Sequence, residues 1–284
     1  MRPLVDNEVW EKLSHTPYPP KKLLIRGLLA PVDSIYITIV GSRVCSEYGR
    51  QVVDEICKSL EGQPVSIISG LAHGIDTQVH KCALKYKLHT IAVVGSGVCD
   101  KAIYPQSNLK LAYQILDQGG ALITEQDFDA PSRFWMFPAR NRITVGMSQL
   151  VIIIEAKEKS GTLITSRLAT DYNRDVLVVP HAIYSSFGKG SNELIKQGAY
   201  MYTKPSDVFE LLKLDIPESM KLFNYIPSKK EKVILDSIKK GFTRVQDILD
   251  ECSTELSTSE IVQILQTLEI EEVVKKVDGE YIVL

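Results

Sequence analysis

In the stretch Ile35-Tyr-Ile-Thr-Ile-Val-Gly-Ser-Arg43, the β-branched and apolar run Ile35–Val40 leads into a short loop that contains glycine. Similar runs follow along the chain: Val65–Ser69, Thr90–Val94, Ala121–Thr124, Leu150–Glu155 and Val176–Val179. The runs are continuously apolar rather than alternating, which is typical of strands buried on both faces of a parallel sheet. Segments with helical spacing lie between them, so the sequence predicts an α/β fold with a doubly wound parallel sheet.

Glycine and hydroxyl residues collect in the loops that follow these runs. The four loops are Gly41–Gly49, Ser69–Asp76, Gly95–Asp100 and Lys157–Thr162. Ligands of open parallel sheets bind beyond the carboxyl ends of the strands. Free backbone N–H groups at helix starts attract anions there, phosphate above all. The sequence therefore predicts an anion-binding edge of the sheet.

Composition narrows the class of protein. The chain has 284 residues, a formal net charge of −2, and hydrophobic and charged fractions of 44% and 24%. These values are those of a globular protein. They exclude a strongly basic protein that binds nucleic acid through the electrostatic field of its net charge. No apolar run is long enough to span a membrane, and the N-terminus lacks the apolar core of an export signal. Five cysteines without a C-x-x-C pair predict a reducing, cytoplasmic setting with no structural metal.

Proline and charge patterns divide the chain into three predicted parts. Residues 1–33 form an N-terminal extension, residues 34–215 the α/β domain, and residues 224–284 a small winged-helix-like domain of three helices and a hairpin. Residues 224–284 carry eight basic and twelve acidic side chains, a net charge of −4. The expected recognition helix, Ser257–Leu268, contains Glu260 and no lysine or arginine. Because an acidic recognition helix repels phosphates, we expect a protein-contact or autoregulatory role there rather than duplex binding.

Aromatic and basic residues are concentrated in the stretch Phe134-Trp-Met-Phe-Pro-Ala-Arg-Asn-Arg142. Residues 133–174 hold seven basic and three acidic side chains, so this segment is positive in a chain whose net charge is negative. Aromatic rings beside guanidinium groups suit single-stranded nucleic acid, whose bases stack and whose phosphates pair. The alternative is that Phe134, Trp135 and Phe137 are core or subunit-interface residues.

Other polar clusters admit two interpretations each. Arg43 in the first loop is either a phosphate ligand or a surface arginine. The residues His73, Asp76 and His80 have the spacing of one helix face, as metal ligands or as a helix cap and buried hydrogen-bonding groups. Glu125 and Glu155 are either acids of a nucleotide hydrolase or strand-end carboxylates that pair with Arg140 or Arg142, the interpretation we prefer.

In combination, these stretches resemble the DprA family, also called Smf, the DNA-processing proteins of bacterial natural transformation. The ordered set of motifs is more specific than any one of them. The matching stretches are Val40–Arg43, Ser69–Asp76, Gly95–Asp100, Tyr104-Pro105, Asn108, Thr124-Glu125, Phe137–Ile143, Glu155-Ala156, Ser160–Thr165, Gly190–Asn192, Leu194-Ile195 and Gly198-Ala199.

The resemblance implies an extended Rossmann-like domain that forms a homodimer, binds single-stranded DNA, promotes RecA recombinase loading and displaces single-strand-binding protein. It implies no catalytic reaction and no cofactor. Carried over by motif, the phosphate contacts are Gly41, Ser42 and Arg43, the pocket residues are Phe137, Arg140, Asn141 and Arg142, and the opposing loop is Ser160, Gly161 and Thr162. Lys159 is added from the charge count alone.

The chain departs from the family pattern in three places. The small helical domain that often precedes the core is not expected within the first 33 residues. His181 stands where the family usually has glycine, and Asp127 and Asp129 bring carboxylates near the proposed pocket.

The fold also resembles the cytokinin-activating phosphoribohydrolases, so a nucleotide-processing enzyme is the alternative function. The glycine-rich catalytic run of that family is absent, and Ser160-Gly-Thr162 is only a fragment of it.

Overall fold

A computed structural model of the chain describes residues 2–4, 8–14, 16–158, 160–217, 227–271, 273–277 and 279–283. The chain divides into two compact units, residues 1–212 and residues 213–284. The strands of the first unit are β1 (Arg2–Pro3), β2 (Leu24–Gly27), β3 (Ile35–Val40), β4 (Val65–Ser69), β5 (His89–Val93), β6 (Ala121–Thr124), β7 (Leu150–Ile153), β8 (Asp175–Val178) and β9 (Tyr200–Met201). Its helices are α1 (Glu8–Ser14), α2 (Glu47–Ser59), α3 (Ile75–Lys85), α4 (Leu109–Asp117), α5 (Met136–Met147), α6 (Thr162–Asp171), α7 (Lys189–Lys196) and α8 (Ser206–Leu212).

The strands form one sheet in the order β1-β2-β6-β5-β4-β3-β7-β8-β9. Strands β3 to β9 are parallel to their neighbours, whereas β1 and β2 add an antiparallel edge beside β6. Because parallel crossovers are right-handed, helices α2 to α4 cover one face and α6 and α7 cover the other. The predicted α/β class with a mostly parallel, Rossmann-like sheet is confirmed.

Burial explains why the apolar runs became central strands. Ile37, Ile67, Ile91, Ile123 and Ile152 are fully buried, one on each of the five strands β3 to β7. Side chains of a strand covered by helices on both faces meet no water, so every position favours an apolar residue. Residues 24–27 were not predicted as a strand, yet they pair with β6. The predicted domain limits themselves stay a prediction.

The chain order reverses between β3 and β7. The first half of the sheet grows from β3 through β4 and β5 to β6, and the chain then returns to place β7 beside β3. The loops that follow β3 and β7 therefore flank the crevice where open α/β sheets bind their ligands.

The second unit contains helices α9 (Lys229–Lys239), α10 (Val245–Cys252) and α11 (Thr258–Ile270) and the hairpin β10 (Val274–Val277) and β11 (Glu280–Val283). It has its own core, which includes Ile234, Ile248, Ile261 and Leu268. Three helices and a hairpin match the expected order of elements, while the winged-helix assignment stays a prediction. Within the described residues, no helix is long and apolar enough to cross a membrane.

Candidate functional site

Helix α5 carries the aromatic and basic stretch to the carboxyl edge of the sheet. Its first residues lie over the end of β5, where a Cβ added to Gly95 would come within 3.1 Å of the Phe137 ring. Pro138 lies in the first turn of α5, where a missing N–H leaves no helical hydrogen bond unmade. This helix is not among those expected from the sequence, and it directs Phe137 and Arg140 toward the ends of the central strands.

Arg43 and Phe137 lie close together at the carboxyl edge of the sheet. The guanidinium of Arg43, in the loop after β3, lies 5.4 Å from the centre of the Phe137 ring. Tyr104 packs against the same ring, with centroids 5.4 Å apart and an interplanar angle of 45°. Arg43 is exposed, Phe137 is half-buried and Tyr104 is 44% exposed. Tyr104 stands in one of the family motifs but is not among the site residues expected from the sequence.

Phe134 and Trp135 project from the residues just before α5. They are 82% and 57% exposed, so the interpretation of these two rings as core residues is wrong. Exposed aromatic rings next to a cation are surfaces on which planar groups stack.

Arg140 is buried beneath this surface. Its Nη1 donates to the carbonyl of Val93 at the end of β5, and the residue is 8% exposed. A Cβ at Gly70 would lie 2.0 Å from Nη1, so only glycine leaves space for the guanidinium at the end of β4. Burial lowers the pKa of Arg140, and the nearby Asp76 carboxylate opposes that shift. The Arg140 guanidinium therefore contributes positive charge from beneath the surface and does not expose its N–H groups to a ligand.

Asp76 and His80 serve the structure of the edge. Asp76 accepts hydrogen bonds from the backbone N–H groups of Gly70 (3.1 Å) and Ala72 (3.4 Å). His80 bonds through Nδ1 to Thr90 Oγ1 at 2.9 Å in the core. Helix α3 begins at Ile75, so His73 precedes it and does not share its face. Among the described residues, no cluster of His, Cys, Asp and Glu forms a metal site. Asp76 and His80 are buried hydrogen-bonding groups, and Asp76 does not cap α3, whose N-cap is Gly74.

The two strand-end glutamates have different partners. Nη2 of Arg142 lies 2.6 Å from both oxygens of Glu125, as the pairing interpretation expected. Glu155 pairs with neither arginine, and that expectation is wrong: its carboxylate accepts hydrogen bonds from the backbone N–H and the hydroxyl of Ser46. The reason is topological, because Glu155 follows β7 and α2 begins beside it after β3.

The remaining predicted residues lie along the same edge or beside it. Ser42 is buried and its carbonyl accepts from Ile75 N–H at 3.0 Å, which joins the loop containing Gly41 to α3. Asn141 lies half-buried on α5. Ser160 precedes Gly161, the N-cap of α6, and its hydroxyl accepts from Thr162 N–H at 3.1 Å. Lys159 lies outside the described residues.

The departures from the family pattern are accommodated locally. His181 Nε2 bonds to the carbonyl of Ile154 at 2.9 Å, and the ring packs edge-on against Tyr48 with centroids 5.2 Å apart. Asp127 forms an ion pair with Lys22, so one of the two extra carboxylates near the site has a cation of its own.

Comparison with known proteins places this geometry in a family. The family model of DNA recombination-mediator protein A matches residues 3–213. Protein Smf of Escherichia coli is 37% identical over 222 residues, which cover 77% of this chain and 59% of Smf. DNA processing protein DprA of Streptococcus pneumoniae is 39% identical over 189 residues, which cover 66% of each chain. The chain thus spans about three-fifths to two-thirds of the length of these curated relatives.

Solved structures of DprA proteins resemble this chain in fold as well. The crystal structure of DprA from Streptococcus pneumoniae has a TM-score of 0.68 and 33% identity, and the match covers 76% of this chain and 75% of that one. A DprA structure from Helicobacter pylori, described for its single-stranded DNA binding mode, has a TM-score of 0.65 and 29% identity. That match covers 75% of this chain and 95% of the other. The resemblance deduced from the motifs is confirmed, and the chain belongs to the DNA recombination-mediator protein A family.

Proposed function

We propose that this chain binds single-stranded DNA at the carboxyl edge of its sheet. The observation that carries the proposal is the exposed Arg43 guanidinium, 5.4 Å from the centre of the Phe137 ring. A guanidinium binds phosphate oxygens with its N–H groups, while its flat face and the ring accept stacked bases. The Helicobacter pylori relative is described as a single-stranded DNA binder, which supports the same ligand class here.

The proposed site uses the eleven residues named from the sequence, with roles that follow from their positions. Arg43 and Phe137 contact the strand directly, and Arg140 contributes its charge from beneath the surface. The residues that complete the site are Gly41, Ser42, Asn141, Arg142, Lys159, Ser160, Gly161 and Thr162.

Titration of a fluorescent oligothymidine at several salt concentrations, followed by anisotropy, tests this site. Arg43→Ala should weaken binding roughly 10- to 100-fold, since a hydrogen bond to a charged group contributes about 1.5–3 kcal/mol. The matched control is Lys58→Ala, which removes an exposed charge in the last turn of α2, at the opposite edge of the sheet. Equal affinities for Arg43→Ala and Lys58→Ala would remove Arg43 from the site.

We further propose that the protein acts on a recombinase rather than on a covalent bond. In this role it forms a homodimer, displaces single-strand-binding protein and promotes RecA loading on the strand. RecA strand exchange on DNA coated with single-strand-binding protein measures this activity, and light scattering measures the dimer. Stimulation by the wild type and its loss in Arg43→Ala support the role, whereas equal rates with and without the protein contradict it.

The alternative, a nucleotide-processing enzyme, needs a free acid at the edge. Glu125 and Glu155 are the candidate acids there. Arg142 engages both oxygens of Glu125, and Ser46 donates to the carboxylate of Glu155. We therefore propose a binding function. Release of base from a nucleoside monophosphate, abolished by Glu125→Gln, would favour the enzyme instead.

For the second unit we propose a protein-contact role rather than duplex binding. Helix α11 carries Glu260 and Glu269 and no lysine or arginine, so it offers no cation to the phosphates of a duplex. Ile270, at the C-terminal end of α11, is 79% exposed. A chain that ends at Leu212 should bind duplex DNA as well as the full chain does, and a loss of duplex affinity would contradict the proposal.

A further inference from the structure

The first turn of α2 is occupied by a carboxylate from a different part of the chain. Glu155 is fully buried, and its oxygens lie 3.3 and 3.4 Å from the backbone nitrogen of Ser46, the N-cap of α2. The Ser46 hydroxyl also bonds to Glu155 and accepts from Gly49 N–H at 3.0 Å. Two of the backbone donors at this helix start, the N–H groups of Ser46 and Gly49, are therefore already engaged by side chains of the protein.

Gly49 is the residue that allows this close approach. A Cβ at position 49 would lie 2.6 Å from Oε1 of Glu155 and 2.8 Å from its carboxyl carbon. Any larger residue would push the carboxylate away from the helix start. The sequence thus provides both the acidic group and the space that it fills.

The charge of this carboxylate is felt by its neighbours. Burial, together with the Glu155 carboxylate, raises the pKa of the Cys45 thiol to about 11. An anion entering the first turn of α2 would meet the same repulsion at short range.

The contact between Glu155 and Ser46 lies at the position where sheets of this type bind their ligands. Helix α2 follows β3, and Glu155 follows β7, so the contact spans the point where the strand order reverses. Phosphates of nucleotide ligands bind at the helix start beside such a point in open α/β sheets. We propose that Glu155 is a specificity-determining residue: it occupies this phosphate position and excludes free nucleotides and inorganic phosphate from the first turn of α2. This exclusion goes beyond the proposed DNA binding and stands without it.

The proposal can be tested by replacing the carboxylate with an external anion. Glu155→Ala frees the donors of Ser46 and leaves space for an ion. Glu155→Gln is the control, because it removes the charge but keeps a side chain of the same size in place. Thermal unfolding of the full chain is measured in sodium phosphate and in sodium chloride of equal ionic strength. Because Arg43 is itself a proposed phosphate contact, every variant is also made with Arg43→Ala, so that anion binding at the start of α2 is measured without it.

We expect phosphate to raise the melting temperature of Glu155→Ala by several degrees and that of the wild type and Glu155→Gln by less than one. Isothermal titration should likewise show ADP binding to Glu155→Ala and none to the wild type in the Arg43→Ala background. Equal responses of wild type and Glu155→Ala overturn the proposal. ADP binding by Glu155→Gln that matches Glu155→Ala overturns occupancy of the position as the means of exclusion and assigns the exclusion to the charge alone. If Glu155→Ala does not fold, Glu155→Ser takes its place, and saturable ADP binding by the Arg43→Ala protein with Glu155 intact remains a contradicting result.

Discussion

Nη2 of Arg142 lies 2.6 Å from both carboxylate oxygens of Glu125, and the two side chains are 18% and 21% exposed. An ion pair this well shielded is stronger than a surface pair, yet Nη1 of Arg142 has no hydrogen-bond partner among the described residues. Arg142 is thus paired through one guanidinium nitrogen, while a second, buried nitrogen remains unbonded within the described part of the chain.

Replacing Glu125 by Gln should release Arg142 toward a bound strand. We expect tighter binding of single-stranded DNA together with a loss of about 1–2 kcal/mol in the free energy of unfolding, because the partly buried guanidinium loses its counter-charge. Anisotropy titration and urea unfolding measure the two effects. Unchanged affinity with reduced stability would show that Arg142 serves only the fold.

Replacing Phe137 by Leu removes an aromatic face without changing charge. Stacking of a base on an aromatic ring contributes about 1–3 kcal/mol, so affinity should fall at every salt concentration. The slope of log K against log salt should match that of the wild type, whereas Arg43→Ala should make it shallower by about 0.7 for one phosphate contact. A changed slope in Phe137→Leu would mean that the ring acts by holding Arg43 in place.

Arg140 should matter more for stability than for direct contact with DNA. Arg140→Met keeps an extended side chain but leaves the buried Asp76 carboxylate without its neighbouring cation, which should cost about 3 kcal/mol in urea unfolding. Adding Asp76→Asn to Arg140→Met should recover part of this loss. A stable Arg140→Met protein with strongly weakened DNA binding would instead assign Arg140 a direct contact.

His80 makes stability depend on pH. Burial lowers its pKa from 6.5 to about 3 in the folded chain. The Thr90 hydroxyl donates to the carbonyl of Ile67, so it accepts from His80 Nδ1–H, and Nε2 is left unprotonated in the core.

Below pH 6.5 the unfolded chain binds a proton at His80 that the folded chain does not bind. This contribution to stability is therefore complete above pH 6.5 and is lost as the pH falls toward 3, by about 1.4 kcal/mol per pH unit. Urea unfolding at pH 7 and pH 5 should show a drop roughly 2 kcal/mol larger in the wild type than in His80→Gln. Burial also lowers the pKa of His89, but that residue is common to both proteins and cancels. Equal pH slopes would place His80 in contact with solvent.

The central strands could be predicted from sequence because their burial on both faces imposes a continuous apolar pattern. The runs at β3, β4 and β6 have the predicted limits residue for residue. Strand β2 was missed since it is short and lies among similar apolar residues, and only its pairing with β6 distinguishes it. Helix α5 was missed because aromatic, basic and proline residues obscure its period.

The site was predictable where an exposed side chain carries the chemistry, as at Arg43. The burial of Arg140 was not, because it depends on Gly70 and Asp76, which are distant in sequence and adjacent only in space. The partner of Glu155 was missed for the same reason, since it is set by which strands are neighbours.

Strand β3 also determines how far Arg43 extends from the sheet. It pairs with β4 on one side and β7 on the other, with Thr38 opposite both Ile68 and Val151. Each strand residue advances the chain by about 3.3 Å and reverses the face to which side chains point. A single residue inserted within β3 would therefore either break both ladders or displace Arg43 relative to Phe137, whose position is fixed separately by α5. The length of β3 thus determines whether Arg43 reaches Phe137.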